Sequence, residues 1–138
     1  MRRGVATYLR REPNEGKGLR AFPYSTDMDV NPVTYQDIVS ASVPHGVGHV
    51  WCSMLWDLYW AMVEEYGFSD DIYYGDLGNN RAIALVMEGM KMQPCDPGFV
   101  DGRDAILAAD QALFNGDNQC LIWEVFARRG LGINADQG

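Results

Sequence analysis

The chain has 138 residues, of which 47% are apolar and 22% are charged, and 11 basic against 19 acidic side chains give a net charge of −8. These values predict a single globular domain over residues 1–138 and argue against intrinsic disorder. An acidic protein is repelled by phosphate backbones and by anionic lipid, and no apolar run is long enough to span a bilayer. We therefore expect neither nucleic acid nor a membrane as a partner.

Residues 1–44 predict an irregular N-terminal arm. Prolines and glycines interrupt this stretch, and segments 25–27 and 29–32 have the composition of turns. The arm also contains four aromatic residues that a free loop would not need, Tyr8, Phe22, Tyr24 and Tyr35. We therefore expect the arm to pack against other parts of the chain.

Residues 45–138 predict a four-helix region, so the expected fold is a mainly α helical bundle. Apolar side chains recur here every three or four residues. The predicted helices begin near residues 46, 80, 97 and 118 and end near residues 67, 92, 115 and 130, with Asp96 and Pro97 as the start of the third. On the second helix, the face expected to be buried consists of Ala82, Ile83, Val86, Met87 and Met90.

Three residues with metal-binding side chains, His45, His49 and Cys52, are spaced so that one regular helix would place them on the same face. A proline precedes His45 and glycines flank the stretch, so His45 is expected at the helix entrance, outside the regular turns. A second group of ligands is missing from the sequence as well. We therefore interpret this trio as something other than a metal site, with Cys52 as a buried and unreactive thiol.

Two residues suit the binding of a substrate oxygen. An imidazole at a helix entrance, as at His45, can hydrogen-bond such an oxygen, although a surface or capping histidine fits the spacing equally. Arg20 lies among small and apolar residues and could donate two hydrogen bonds to a carbonyl or carboxylate, or form a salt bridge with one of the acids. Within the third helix, we expect Arg103 and Asp104 to form ion pairs with other helices.

Seven segments resemble, in their order along the chain, the fungalysin-type secreted zinc metallopeptidases. They are FPYSTDM at 22–28, NPVTY at 31–35, VPHGVG at 43–48, VWCSMLW at 50–56, GMKMQPC at 89–95, AILAAD at 105–110 and FARRGLG at 126–132. The resemblance covers nearly the whole chain. It implies the C-terminal, helical half of a catalytic domain that is similar to thermolysin.

This resemblance implies a role for three residues and a metal bound elsewhere. His45 would hydrogen-bond the developing oxyanion, Arg20 would hold a substrate carbonyl, and Leu19 would lie near the wall of the adjoining pocket. The zinc ligands, an HExxH motif and a later glutamate, are expected before Met1, in the zinc-binding N-terminal half that would be the partner of this chain. The chain contains no HExxH and is expected to bind no catalytic zinc and to be inactive alone.

The resemblance also implies a secreted, extracellular protein that acts on a peptide or protein substrate. The residues alone allow either one disulfide among the three cysteines or none. The extracellular setting favours a disulfide between Cys95 and Cys120 that leaves Cys52 free. Segment 40–44 lacks the aspartate that orients the histidine in thermolysin-like enzymes, which leaves Asp37 as the candidate, and His49 replaces an acidic residue of many relatives.

A different class of function fits the same sequence. The chain could be a stand-alone, non-enzymatic helical module that binds peptides or a partner protein through its aromatic arm.

Overall fold

The computed structural model describes residues 2–137, and its fold is mainly helical. The elements in chain order are β1 (Arg2–Arg3), α1 (Thr7–Arg10), β2 (Tyr24–Ser25), a 3₁₀ helix (Tyr35–Val39), α2 (His45–Tyr66), α3 (Gly78–Met92), α4 (Phe99–Phe114) and α5 (Gln119–Arg128). The predicted fold class is confirmed: short elements precede four longer helices. Within residues 2–137, no helix has the length and apolarity required to cross a membrane.

The chain forms two compact units, and their boundary falls inside α2 between Asp57 and Leu58. We call the part up to Asp57 the N-terminal unit and the part from Leu58 the C-terminal unit. The predicted arm at 1–44 and the helical region at 45–138 differ from this division, because the first turns of α2 belong with the arm. That residues 1–138 form a single domain stays a prediction.

In the N-terminal unit, two short pairings hold the arm. Strand β1 pairs antiparallel with β2, and Val5 forms a parallel bridge with Gly18. Gly18 has a φ of +68°, and a Cβ at this position would lie 2.2 Å from the Val5 carbonyl oxygen. Only glycine allows this close approach of the two backbones, so Gly18 fixes the position of the residues that follow it.

A chain of buried hydrogen bonds joins the arm to α2 within the N-terminal unit. The Asn31 amide nitrogen donates to the Ser53 hydroxyl (3.0 Å), which donates to the His49 carbonyl (2.8 Å). Asn31 and Ser53 are both completely buried. The expectation that the arm packs against other parts of the chain is therefore confirmed for this segment.

In the C-terminal unit, α4 packs against both α3 and α5. A Cβ on Gly89 of α3 would lie 3.1 Å from a side-chain carbon of Ile106 on α4, so these two helices approach closely. The buried apolar side chains of this unit are Leu58, Met62, Ala82, Leu85, Ala105, Ile106, Leu107, Ala109, Ile122, Val125, Phe126 and Leu131. Their three- and four-residue spacing explains why the four helices could be predicted from periodicity.

A buried polar cluster centred on Asp110 also stabilises the C-terminal unit. The Asp110 carboxylate accepts hydrogen bonds from the Asn118 backbone (3.1 Å), the Asn118 amide (2.6 Å) and the Gln119 amide (2.9 Å). The Tyr66 hydroxyl donates to the Asn118 amide oxygen (2.6 Å). This cluster links the end of α4, the start of α5 and the last residue of α2.

The predicted buried face of α3 is largely wrong. Ala82 is buried as expected, but Ile83, Met87 and Met90 are 42%, 53% and 53% exposed. The closely packed face instead contains Leu85 and Gly89, because the small glycine allows the α3 backbone to approach α4. The spacing of the methionines therefore predicts a helix correctly but predicts the wrong side of that helix to be buried.

Two details of α4 also differ from the predictions. The helix starts at Phe99 and not at Pro97, because Asp96 has a left-handed φ of +53° and the Asp101 carboxylate instead accepts a hydrogen bond from the Gly98 N–H (2.9 Å). Arg103 forms its ion pair with the adjacent Asp104 (2.7 Å), not with a residue of another helix. Arg103 is otherwise buried, and it donates to the Gly132 carbonyl (2.6 Å).

Candidate functional site

His45 is the first residue of α2, and its side chain is exposed. The helix begins here because the Gly46 N–H donates to the Ser42 carbonyl (2.7 Å) and the Gly48 N–H donates to the Pro44 carbonyl (2.9 Å). The predicted position of His45 at a helix entrance is therefore confirmed. An exposed imidazole at this point is available to a substrate oxygen.

Asp37, the candidate for orienting His45, has a different role in the structure. Its carboxylate accepts hydrogen bonds from the backbone N–H of Thr34 (2.7 Å) and from the Thr34 hydroxyl (3.1 Å). These bonds cap the 3₁₀ helix at Tyr35–Val39. The local fold therefore explains Asp37 as a capping residue.

Leu19 and Arg20 follow Gly18 on a backbone that is held at two points. The Leu19 N–H donates to the Val5 carbonyl (2.9 Å), and the Gly18 N–H donates to the Glu12 carboxylate (2.8 Å). The Leu19 side chain is 50% exposed, so it offers an apolar surface beside the arginine. Both side chains therefore project from a fixed segment, although no regular element contains them.

The positive charge of Arg20 lowers the pKa of the Tyr24 hydroxyl, against the larger effect of burial. The Arg20 Nε is buried and has no hydrogen-bond partner among residues 2–137. A guanidinium carries five N–H donors in a planar arrangement and can therefore bind acceptors from outside this chain. This geometry suits the binding of a carbonyl or carboxylate oxygen.

Tyr24 packs against α2 within the N-terminal unit. The Tyr24 ring is 8% exposed and lies 5.1 Å from the His49 ring and 6.0 Å from the Trp56 ring, measured between centroids. Burial, reinforced by Cys52 and opposed by the positive charge of Arg20, raises the pKa of Tyr24 to about 12.

The two predicted binding residues, Arg20 and His45, both belong to the N-terminal unit. Tyr24 packs on His49, and His49 lies one turn beyond His45 on α2. His49 is 3% exposed, so it belongs to the buried face of α2 and not to its solvent-exposed entrance. Sequence reasoning missed the packing of Tyr24 on α2, although this residue lies within the FPYSTDM segment.

Residues 2–137 contain no group of three or more His, Cys, Asp or Glu side chains that could hold a metal ion. The zinc implied by the metallopeptidase resemblance therefore does not fit a site built from these residues alone.

All three cysteines are free thiols with exposed side chains. The disulfide expected between Cys95 and Cys120 is not formed in this structure, and that prediction is corrected. The prediction that Cys52 is buried is also wrong. Cys52 lies about 200° around α2 from Val50, at about 100° per residue, and so on the opposite side from the buried Val50 and Met54.

The chain belongs to the family described as Fungalysin metallopeptidase (M36), which matches residues 1–135. It is 45% identical over 127 residues to extracellular metalloproteinase 2 of Trichophyton tonsurans. The matched region covers 88% of this chain and 20% of that protein. It is 44% identical over 131 residues to extracellular metalloproteinase 2 of Arthroderma gypseum. Here the matched region covers 91% of this chain and 21% of the relative. The chain thus spans about a fifth of the length of these relatives.

Proposed function

We propose that this chain is the C-terminal, substrate-binding part of the catalytic domain of an extracellular zinc endopeptidase. The observation that carries the proposal is the position of His45, exposed at the first residue of α2 in a chain of the fungalysin family. The extracellular location is proposed from the names of the relatives.

In this proposal, the chain contributes hydrogen bonds to a peptide substrate. His45 donates to the substrate carbonyl oxygen as negative charge develops on it, which lowers the barrier because the donor is already in place. Arg20 donates to a second carbonyl oxygen of the same peptide, and Leu19 contacts the neighbouring substrate side chain. Each of these residues lies on a segment that the fold fixes independently of substrate.

The zinc-binding half of the catalytic domain is the proposed partner of this chain. Residues 2–137 offer no metal-ligand group, so the metal ligands would come from that partner. We accordingly expect the purified 138-residue chain to have no peptidase activity that a chelator can abolish. Such an activity would contradict this division of roles.

A chimera tests the role of His45. The segment of Trichophyton tonsurans extracellular metalloproteinase 2 that matches this chain is replaced by the chain itself, and peptide hydrolysis is measured. We expect His45→Ala to lower kcat by about 100–1000-fold, the usual loss when one oxyanion donor is removed. Glu64→Ala, at an exposed position of the same helix, is the matched control and should retain full activity.

The competing function is a stand-alone helical module that binds peptides or a partner protein without cleaving them. It predicts a chimera that folds, as judged by circular dichroism and thermal unfolding, but hydrolyses nothing. If the chimera is active and His45→Ala retains activity within a factor of two, the chain is part of a peptidase but His45 is not the oxyanion donor.

A further inference from the structure

A small cavity in the C-terminal unit combines one positive charge with apolar walls. Its volume is about 180 Å³, and the residues that line it are Gly75, Asp76, Asn80, Arg81, Ala84 and Phe114. Sites for drug-sized ligands have volumes of about 300–1,000 Å³. This cavity therefore suits a single amino acid or the end of a longer molecule.

Three contacts hold the guanidinium of Arg81 in place. Its Cζ lies 4.3 Å from the centroid of the Tyr66 ring and 5.1 Å from the centroid of the Phe114 ring. Its Nε donates a hydrogen bond to the Asp76 carbonyl (2.9 Å). These contacts fix the side chain before any ligand arrives, so binding does not have to restrict a mobile arginine.

The two terminal nitrogens of Arg81 are available to a ligand. Within residues 2–137 they form neither a hydrogen bond nor an ion pair, and the side chain is partly exposed. The N–H groups of a guanidinium match the two oxygens of a carboxylate in a bidentate arrangement. Arg81 thus offers a carboxylate both a positive charge and paired hydrogen bonds.

Asn80 offers a hydrogen-bond acceptor in the same cavity. Its amide nitrogen donates to the carbonyls of Asp71 (2.8 Å) and Ile72 (2.9 Å), which fixes the orientation of the amide. Its Oδ1 is buried and has no hydrogen-bond partner in the described part of the chain. A Cβ on Gly75 would lie 2.6 Å from this oxygen, so only a glycine leaves it unobstructed on that side. A ligand with an N–H group would satisfy this oxygen.

We propose that this cavity binds an α-carboxylate that carries a neighbouring N–H group and an apolar side chain. A free amino acid and the C-terminal end of a peptide share this chemistry. The carboxylate binds the terminal nitrogens of Arg81, the N–H group donates to Asn80 Oδ1, and the side chain contacts Ala84 and Phe114. The inference rests on the C-terminal unit alone and does not depend on the proposed function.

The charges around the cavity favour a carboxylate over a phosphate. Asp76 also lines the cavity, and the chain has a net charge of −8. A phosphate group carries more negative charge than a carboxylate at pH 7 and would be repelled more strongly. The apolar walls at Ala84 and Phe114 would in addition have no part of a phosphate to contact.

An NMR titration of the ¹⁵N-labelled 138-residue chain with N-acetyl-leucine tests the site. We expect the signals of the Arg81 Nε–H and of the Asn80 side-chain amide to shift, with a Kd in the millimolar range or tighter for so small a ligand. N-acetyl-leucinamide, which has no carboxylate, should bind at least about tenfold more weakly. The compound 4-methylpentanoate, which has the carboxylate but no N–H group, should bind about threefold more weakly or worse.

Two variants with the same change of charge test the role of Arg81. Arg81→Gln should weaken the binding of N-acetyl-leucine by about tenfold or more. Lys91→Gln is the matched control on α3, because the Lys91 ammonium already pairs with Glu88 (2.6 Å), and it should leave the Kd unchanged. Thermal unfolding shows whether both variants fold, and the comparison of ligands on the unmodified chain needs no variant.

Several outcomes would overturn the inference. They are no shift at Arg81 and Asn80 up to the solubility limit of N-acetyl-leucine, equal binding of N-acetyl-leucine and its amide, and equal binding to Arg81→Gln and the unmodified chain. Inorganic phosphate that binds as tightly as N-acetyl-leucine would also overturn it, because the cavity would then be a general anion site.

A titration with leucine distinguishes the two sources of the ligand. Leucine carries a free ammonium group, whereas N-acetyl-leucine has the amide N–H of a peptide. Tighter binding of leucine would identify a free amino acid as the ligand, and tighter binding of N-acetyl-leucine would identify the C-terminal end of a peptide. Equal binding would support the shared chemistry and show that the site accepts both.

Discussion

The N-terminal and C-terminal units are stabilised by different kinds of interaction. The C-terminal unit buries apolar faces of regular helices, such as Leu85 of α3 and Ile106 of α4. The N-terminal unit holds an irregular arm through side-chain hydrogen bonds, including Asn31 to Ser53, and through the close backbone contact at Gly18. The residues proposed to bind a peptide substrate for cleavage all belong to the N-terminal unit. Of these residues, His45 begins the regular helix α2, whereas Leu19 and Arg20 lie on an irregular segment held by individual hydrogen bonds.

The largest expected effect is a loss of stability on mutation of Asp110. Its buried carboxylate is an exception in the C-terminal unit, because it acts through hydrogen bonds and not through apolar packing. Replacing Asp110 with alanine removes the acceptor of three hydrogen bonds and leaves buried donors on Asn118 and Gln119. We expect Asp110→Ala to lower the free energy of unfolding by about 3–5 kcal/mol, measured by urea denaturation. Asp117→Ala, at a nearby exposed position, should cost less than about 0.5 kcal/mol. Equal losses for the two variants would show that the Asp110 cluster is not what links α4 to α5.

The next largest effect is expected at Gly18, the residue on which the arm depends. An alanine there would adopt a left-handed backbone at φ +68° and would place its Cβ 2.2 Å from the Val5 carbonyl oxygen. We expect Gly18→Ala to destabilise the chain by about 2–3 kcal/mol. In the active chimera, the same variant should raise KM, because Leu19 and Arg20 would move. A stable variant with unchanged KM would show that the arm does not need this turn to hold Arg20.

The same contrast explains how much could be predicted from the sequence. The four long helices follow from apolar spacing, and α5, expected to start at Asn118, begins at Gln119. The buried face of α3 could not be predicted from the sequence. The spacing of Met87 and Met90 indicates a helix but does not indicate which side of that helix packs against another element. The buried face instead depends on the small size of Gly89 and on the position of α4.

The sequence allowed individual residues of the candidate site to be predicted, but not the contacts between their side chains. The position of His45 at a helix entrance follows from the neighbouring proline and glycines, and the structure confirms it. The packing of Tyr24 on His49 and Trp56 could not be predicted, since it depends on the strand pairing that buries Tyr24. The roles of His45, Arg20 and Leu19 in binding substrate stay predictions.

A smaller effect is expected from the pKa of Tyr24. The folded chain keeps the phenolic proton until about pH 12, whereas an unfolded chain releases it near pH 10.0. The folded state therefore binds more protons than the unfolded state between these values, and its stability falls as the pH rises through them. Between pH 9 and pH 11.5 the expected loss is about 2 kcal/mol, at about 1.36 kcal/mol for each unit of pKa.

This loss can be measured by urea denaturation at pH 9 and pH 11.5. The stability of the unmodified chain relative to Tyr24→Phe should decrease between the two pH values, because phenylalanine does not titrate. Tyr8→Phe should follow the unmodified chain, since Tyr8 is exposed. A constant difference between the unmodified chain and Tyr24→Phe would contradict the burial of the Tyr24 hydroxyl.

The smallest expected effect concerns Gly46 and Gly48, the two glycines that follow His45 in α2. Replacing them with alanine distinguishes a glycine that the helix requires from one that the candidate site requires. A Cβ on Gly48 would meet no atom within 4 Å, whereas a Cβ on Gly46 would lie 2.9 Å from the Ser42 hydroxyl and 3.3 Å from Ala41. We expect Gly48→Ala to stabilise the chain by about 0.5–1 kcal/mol, because alanine loses less backbone freedom in a helix. Gly46→Ala should gain nothing, because its contacts oppose that benefit.

The activity of Gly48→Ala in the chimera then shows whether the open space at Gly48 is required for function. If Gly48→Ala is more stable and equally active, the glycine is not required by the α2 entrance. If it is more stable but has lost activity, a substrate or the partner half occupies the space beside His45, because the added methyl group meets nothing within this chain. The second result would extend the site beyond His45 to the exposed surface of the first turn of α2.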